Sequence, residues 1–284
     1  MSERFARVGR GIELCYEELG APDDPTVLLV MGLGLDLCWW RDALCSDLVS
    51  RGFRVVRFDN RDVGRSTHVT GPGVSGMGFL RRKATPSYTL GDMADDAAGL
   101  LAEVAPEGAH VVGASMGSLV AQELAIRQPE RVRSLLSIMG RHGDGRTGKV
   151  ARSKLFEFLR PASSDPIEGM VDAFTRIGSK ERSTEDDEDV RIAARRALQR
   201  ARGVDPGRQL AAILNERDRT AELGRLTMPV TVLHGLRDRV ILPNGGRATA
   251  AAIPGATLLE VEGMGHDLPR WVWPRLLDAV ADGA

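Results

Sequence analysis

A serine framed by glycines, GASMG at residues 113–117, follows the apolar run HVVG and opens the helix-like segment SLVAQELAIR. A GxSxG pentapeptide alone is a short motif. At a junction between strand and helix it has a mechanical meaning: a sharp turn holds Ser115 in a strained backbone conformation, and bulky side chains two residues to either side would strike neighbouring backbone. Gly113 and Gly117 remove those side chains. The hydroxyl then stands over the carboxyl ends of strands, where the following helix N-terminus favours developing negative charge. Such a hydroxyl attacks only if a base takes its proton. His266 in EGMGHDLP is the candidate, because it follows the last apolar strand and Gly263 and Gly265 leave its loop free to fold inward. The other histidines fit structural roles better: His110 begins a strand, His68 lies on a long loop, His142 opens a helical segment, and His234 ends a strand.

An imidazole acting as base needs a carboxylate to fix its tautomer and stabilise its charged form. Asp238 in HGLRDRV lies one strand-helix unit before His266 and gives the order serine, acid, histidine. Asp144, after the strand ending near Ile138, is the alternative acid. Charge developing on a substrate oxygen would need donors. The backbone N–H of Met116 is one candidate, and that of Leu33 in MGLG is the other, with Gly32 and Gly34 letting the chain turn toward the serine. Gly32, Trp39, Trp40 and Phe174 are candidates for substrate contact; the two tryptophans are open equally to a plain packing role between helix and sheet.

The elements that must position these residues read as an alternation. Ile12 to Glu18 suits an early antiparallel strand, whereas TVLLVM at 26–31 is continuously apolar, as a strand buried on both faces would be. Further strands are expected at 54–59, 110–114, 132–138, 229–235 and 256–261, separated by helices near 37–51, 90–104, 116–127, 245–252 and 269–281. This alternation calls for a mostly parallel, doubly wound sheet, an α/β fold. The stretch 141–225 breaks it with helix patterns and no convincing strand. There Ile167, Met170, Val171, Phe174 and Ile177 form one apolar stripe, and EDDED at 185–189 opens a helix with Val190, Ala194, Ala197, Leu198 and Ala201 on one side. The division expected is a core of 1–140 and 226–284 with a helical cap of 141–225. The five arginines between Arg191 and Arg202 read as a solvated helix face rather than an anion site.

Composition narrows the partners. The 284 residues are 43% hydrophobic and 27% charged, enough for one sizeable core. With 38 basic and 39 acidic side chains there is no long-range attraction to nucleic acid or an anionic membrane. No run of about 18 apolar residues could span a membrane, and the opening MSERFARVGRG lacks a signal-peptide core, so a cytoplasmic location is expected. Cys15, Cys38 and Cys45 form no disulfide or metal pattern and are expected to be buried thiols.

VMGLG, FDNRDVGRST, VVGASMG, HGLRD and GMGHDLP together resemble the α/β-hydrolase superfamily, in particular the subgroup containing aclacinomycin methylesterase and related actinobacterial esterases and lipases. The likeness covers about residues 25–140 and 225–281 and is weak across the cap. It implies a cofactor-free ester hydrolase acting through an acyl-enzyme; the sequence holds no metal-ligand cluster, and a mostly apolar pocket wall under the cap would favour a small hydrophobic ester. Thioesterase, lactonase, cofactor-free perhydrolase or haloperoxidase activity, and a non-catalytic ligand receptor, stand as alternatives. Met31 departs from the pattern, since many members carry histidine there; a hole built of backbone N–H groups does not depend on it. Asp59, Arg61, Asp62 and Ser66 are implied to form a supporting turn. Nothing in the sequence sets an oligomeric state.

Overall fold

The computed structural model describes residues 2–74, 85–149, 163–200 and 206–284. Its strands are β1 Arg4–Gly9, β2 Ile12–Leu19, β3 Thr26–Val30, β4 Arg54–Phe58, β5 Ala109–Ala114, β6 Val132–Ile138, β7 Val230–Gly235 and β8 Thr257–Val261. They form one sheet in the order β1-β2-β4-β3-β5-β6-β7-β8. The β1-β2 and β2-β4 pairs are antiparallel and all the others parallel. The helices are α1 Asp42–Ser50, α2 Leu90–Val104, α3 Met116–Arg127, α4 Pro166–Ile177, α5 Thr184–Arg200, α6 Pro206–Leu214, α7 Thr220–Leu223, α8 Asn244–Ala252 and α9 Trp273–Asp282.

Two buried layers explain why the central strands are rich in apolar residues. Leu28 and Val30 of β3, with Val111 of β5 and Val232 of β7, pack toward α2 and α3. The intervening Val27 and Leu29, with Val112 and Leu233, pack on the opposite face with α1 and α9. A strand covered on both faces has no side for polar residues, which is the pattern TVLLV shows. Between β6 and β7 the described residues contain α4 to α7 and no strand. The stripe of α4 lies against the second layer: Val171 is buried there, and Ile167, Met170 and Phe174 pack at its edge.

Three features differ from expectation. β1 is an additional edge strand, five of whose six residues are exposed or half-exposed, so its composition carries little core signal. The helix expected over 37–51 is a short 3-10 turn at Leu37–Trp39 followed by α1. Arg200 is not on a solvated face: it is 5% exposed and bonds Asp36 at 2.5 Å, Asp59 at 2.8 Å and Glu3 at 2.5 Å. α5 passes over the Leu37–Trp39 turn, which brings its last arginine down onto three carboxylates. Arg191 and Arg195 do stay outside, paired with Glu168 and Glu188. Ala201 and Arg202 lie outside the described residues. All three cysteines are buried free thiols; burial above all pushes Cys15 and Cys38 up to about 12. Among the described residues no helix is long and apolar enough to cross a membrane.

Candidate active site

The turn from β5 into α3 puts Ser115 at φ 54° and ψ −121°. That conformation is costly for a residue with a side chain, roughly 1–3 kcal/mol, and must be held by its surroundings. The Ser115 N–H donates to Ile138 O at 3.0 Å, and Ser115 O accepts from the N–H and hydroxyl of Ser118 at 2.9 and 2.7 Å. The flanking glycines are required by close approach. A Cβ on Gly113 would lie 2.3 Å from Gly117 O, and one on Gly117 would lie 2.0 Å from Val30 O, both backbone atoms that cannot step aside.

His266 follows β8, and its Nε2 lies 2.9 Å from Ser115 Oγ while its Nδ1 lies 2.7 Å from Asp238 Oδ2. A carboxylate only accepts, so Nδ1 carries the proton and Nε2 is left to accept from the serine. Asp238 follows β7. Its Oδ1 accepts from the N–H groups of Val240 and Ile241 at 2.8 and 2.9 Å, and His234 Nε2 stands 3.4 Å from its Oδ2. Burial alone would raise this carboxyl. The charge that His266 carries when protonated and the hydrogen bonds from both histidines outweigh burial and hold it well below the ordinary carboxylate range. Asp144, the other acid considered, binds the backbone of its own turn at Arg146 and Thr147.

His110 bonds Ser134 at 2.9 Å and His68 meets Gly64 O at 3.3 Å, both structural placements. His234 sits at a strand end as expected, with its Nε2 2.9 Å from Ile241 O. Its proximity to Asp238 was not legible in the sequence.

Beside Ser115 the chain after β3 comes close: a Cβ on Gly32 would lie 3.3 Å from Ser115 Cβ. Met116 is the first residue of α3, a position whose N–H has no partner within its own helix. The β3 loop is tied from the far side by Gln209 of α6, whose Oε1 accepts from Gly34 N at 2.8 Å and whose Nε2 donates to Arg61 O at 2.8 Å. In the adjoining turn, Asp59 accepts from Leu37 N and Arg65 N at 2.8 Å each, and Asp62 accepts from Tyr88 at 2.6 Å. Arg61 pairs with Asp96 at 2.6 Å, and Ser66 donates to Asp59 O at 2.6 Å.

A cavity of ≈240 Å³ opens at Ser115 and His266. Gly32, Leu33, Trp39, Trp40 and Phe174 all line it, so the expected contact residues meet in one place. Trp39 stacks on Phe174 with ring centroids 5.2 Å apart. That tryptophan packs against α4 and lines the cavity at once.

Asp267, directly beside His266, has partners that no local sequence pattern signals. Its Oδ1 accepts from Ser179 N and Oγ at 2.9 and 2.7 Å, and its Oδ2 accepts from Arg182 at 2.7 Å. Ser179 Oγ in turn accepts from Gly265 N at 2.9 Å, and His266 N donates to Ile177 O at 2.9 Å. The approach is so close that a Cβ on Gly265 would lie 2.2 Å from Gly178 C. The end of α4 thus grips the loop that carries the imidazole. Asp267→Ala is expected to lower kcat for an ester by ~10-fold to 100-fold with little change in KM, since about 1 Å of misplacement has that cost. Asp267→Asn should recover part of the loss. Steady-state kinetics of both folded variants would show it, and an unchanged kcat in the alanine variant would refute the role.

In this sheet the serine follows β5, the acid β7 and the histidine β8, all parallel strands. The chain belongs to the alpha/beta hydrolase fold family, whose model matches residues 25–269. Among its relatives, the rhodomycin D methylesterase DnrP of Streptomyces peucetius is 29% identical over 291 residues, covering 95% of this chain and 94% of that protein. DauP of Streptomyces sp. strain C5, another rhodomycin D methylesterase, is 28% identical with the same coverage of 95% and 94%. In fold, the chain is similar to the esterase RhEst1 from Rhodococcus sp. ECU1013, with a TM-score of 0.76, 20% identity and 100% coverage of both chains.

Proposed function

We propose that the protein is a serine esterase of the carboxylesterase or methylesterase type, with Ser115 as nucleophile, His266 as general base and Asp238 as its orienting acid. Family membership and the two methylesterase relatives support ester hydrolysis in general. The observation that carries the finer reading is the unbroken relay, 2.9 Å from Ser115 Oγ to His266 and 2.7 Å from His266 to Asp238, at the floor of a cavity.

In this mechanism Ser115 Oγ attacks the ester carbonyl as its proton passes to His266 Nε2. The N–H groups of Leu33 and Met116 hold the oxyanion. Collapse expels the alcohol, which leaves with the proton from His266, and an acyl group remains on Ser115. Water then gives a proton to His266 and attacks the acyl carbon, and the acid departs as the serine regains its proton. The test is to mix the protein with a p-nitrophenyl ester, quench early and weigh the intact chain. An added acyl mass mapping to the Ser115 peptide is expected; turnover with no such adduct, even in the presence of a slow-deacylating ester, would count against a serine route.

Residues 141–225 serve in this reading as a cap over the core of 1–140 and 226–284. Its α4 carries Phe174 and Ile177 into the cavity wall, so it sets substrate choice. Phe174→Ala should shift the kcat/KM ratio between a short and a bulky ester by about 1–3 kcal/mol. If the ratio of the two substrates stays fixed in the folded variant, α4 does not select substrate.

A further inference from the structure

The cavity wall is apolar through Met31, Leu35, Leu44 and Trp273, and two arginines, Arg41 and Arg182, line it beside Asp186, Asp189 and Asp267. Their situations differ. Arg182 is bound to Asp187 at 2.8 Å and Asp267 at 2.7 Å; these carboxylates outweigh burial and raise its guanidinium above the ordinary value. Arg41 stands just before α1 and donates one bond, from Nη1 to Trp39 O at 3.2 Å, with its guanidinium 5.1 Å from the Trp39 ring centre. Its Nε and Nη2 have no partner among the described residues. Burial brings its guanidinium down to about 10, against the opposing pull of Asp189, so it remains charged at neutral pH.

The acids nearest to it are already engaged. Asp189 takes two bonds from Arg270 at 2.8 Å each, and Asp186 accepts from Arg270 N at 2.8 Å and from Ser183 N at 2.8 Å. Arg41 is half-buried and forms no ion pair with a described carboxylate, so its guanidinium can take a ligand's opposite charge without giving up a partner. The free Nε and Nη2 form a planar two-donor edge, the shape that a carboxylate matches with two parallel bonds. Its aromatic support is fixed, because Trp39 is itself stacked on Phe174 of α4.

We propose that Arg41 forms a carboxylate-binding subsite in the cavity, so that the preferred substrates are esters with an apolar body and a free carboxylate remote from the scissile bond. The proposal rests on the esterase reading. A substrate of this class pairs its charged end with Arg41 while its ester carbonyl lies at Ser115, and the apolar wall covers the chain between them. Hydrolysis would release a dicarboxylate, or a hydroxy acid where the charge lies on the alcohol side.

The test compares p-nitrophenyl half-esters of unbranched diacids, from succinate to suberate, with the neutral p-nitrophenyl alkanoates of equal length. In the wild type one diacid length should be preferred over its neutral counterpart. Arg41→Met should lower that charged-to-neutral ratio of kcat/KM by ~10-fold to 100-fold, chiefly through KM, as loss of a charge-assisted pair does. Arg41→Gln should lower it similarly, and Arg41→Lys should keep part of the preference as a point charge. In parallel, calorimetric binding of monomethyl adipate to Ser115→Ala should weaken when Arg41 is also replaced. An equal ratio in the wild type and both neutral variants would overturn the subsite while leaving the esterase intact. Arg41-dependent binding with no ester turnover would leave the subsite and remove the esterase.

Discussion

Ser115→Ala is expected to lower kcat for a p-nitrophenyl ester by ~10⁴-fold to 10⁶-fold and to abolish labelling by a fluorophosphonate, as loss of the nucleophile does in enzymes of this mechanism. The expectation follows from the electron pair involved: without Oγ there is no atom to form the acyl bond, and the remaining backbone donors can only assist water. The fold should survive. Alanine also has a Cβ, so it suffers no greater strain at φ 54° than serine does, and the bonds from Ser115 N and O to Ile138 and Ser118 involve backbone alone on the Ser115 side. Only the 2.9 Å contact to His266 disappears. A melting temperature close to that of the wild type, together with lost labelling, would separate chemistry from stability. Undiminished turnover by the folded variant would eliminate Ser115 as the nucleophile.

The elements that present these residues were legible for a physical reason. Strands buried on both faces take mostly apolar side chains, so β3 stands out as an uninterrupted run and its neighbours as short, largely apolar ones. The glycines of the elbow stand out because the close approach of Val30 O and Gly117 O admits no other residue. Order along the chain placed serine, acid and histidine after separate strands, which in a parallel sheet means the same edge. What escaped notice depends on pairs distant in sequence. Asp267 meets Ser179 and Arg182, which lie 88 and 85 positions away, and Gln209 reaches Gly34 across 175. Arg200 looked like its neighbours on a charged helix, and only the descent of α5 onto Asp36 and Asp59 distinguishes it. Local patterns report which face of an element is buried; they do not report what a polar side chain meets at its end.

Asp238→Asn should be nearly as damaging as loss of the serine, lowering kcat by ~10⁴-fold, or about 5 kcal/mol of transition-state stabilisation. The Asp238 carboxylate fixes the proton on His266 Nδ1, leaving Nε2 to accept from Ser115 across 2.9 Å. An asparagine at the same place can turn its amide N–H toward Nδ1. The imidazole would then carry its proton on Nε2, facing the serine, where it cannot act as a base. The pH dependence distinguishes this account from a merely structural one. Because Asp238 is held below the ordinary carboxylate range, it stays ionised on the acid side of the profile. The wild-type kcat/KM should therefore fall toward low pH with a slope of one on a logarithmic plot, from the loss of neutral imidazole alone. Were the carboxyl raised instead, its protonation would add to the imidazole's and steepen the limb toward two. In Asp238→Asn the plateau itself should drop, because the neutral imidazole then holds its proton toward the serine. The decisive measurement is kcat/KM against pH for both proteins on one ester. A plateau equal to the wild type's in the folded variant would remove Asp238 from its place as the orienting acid.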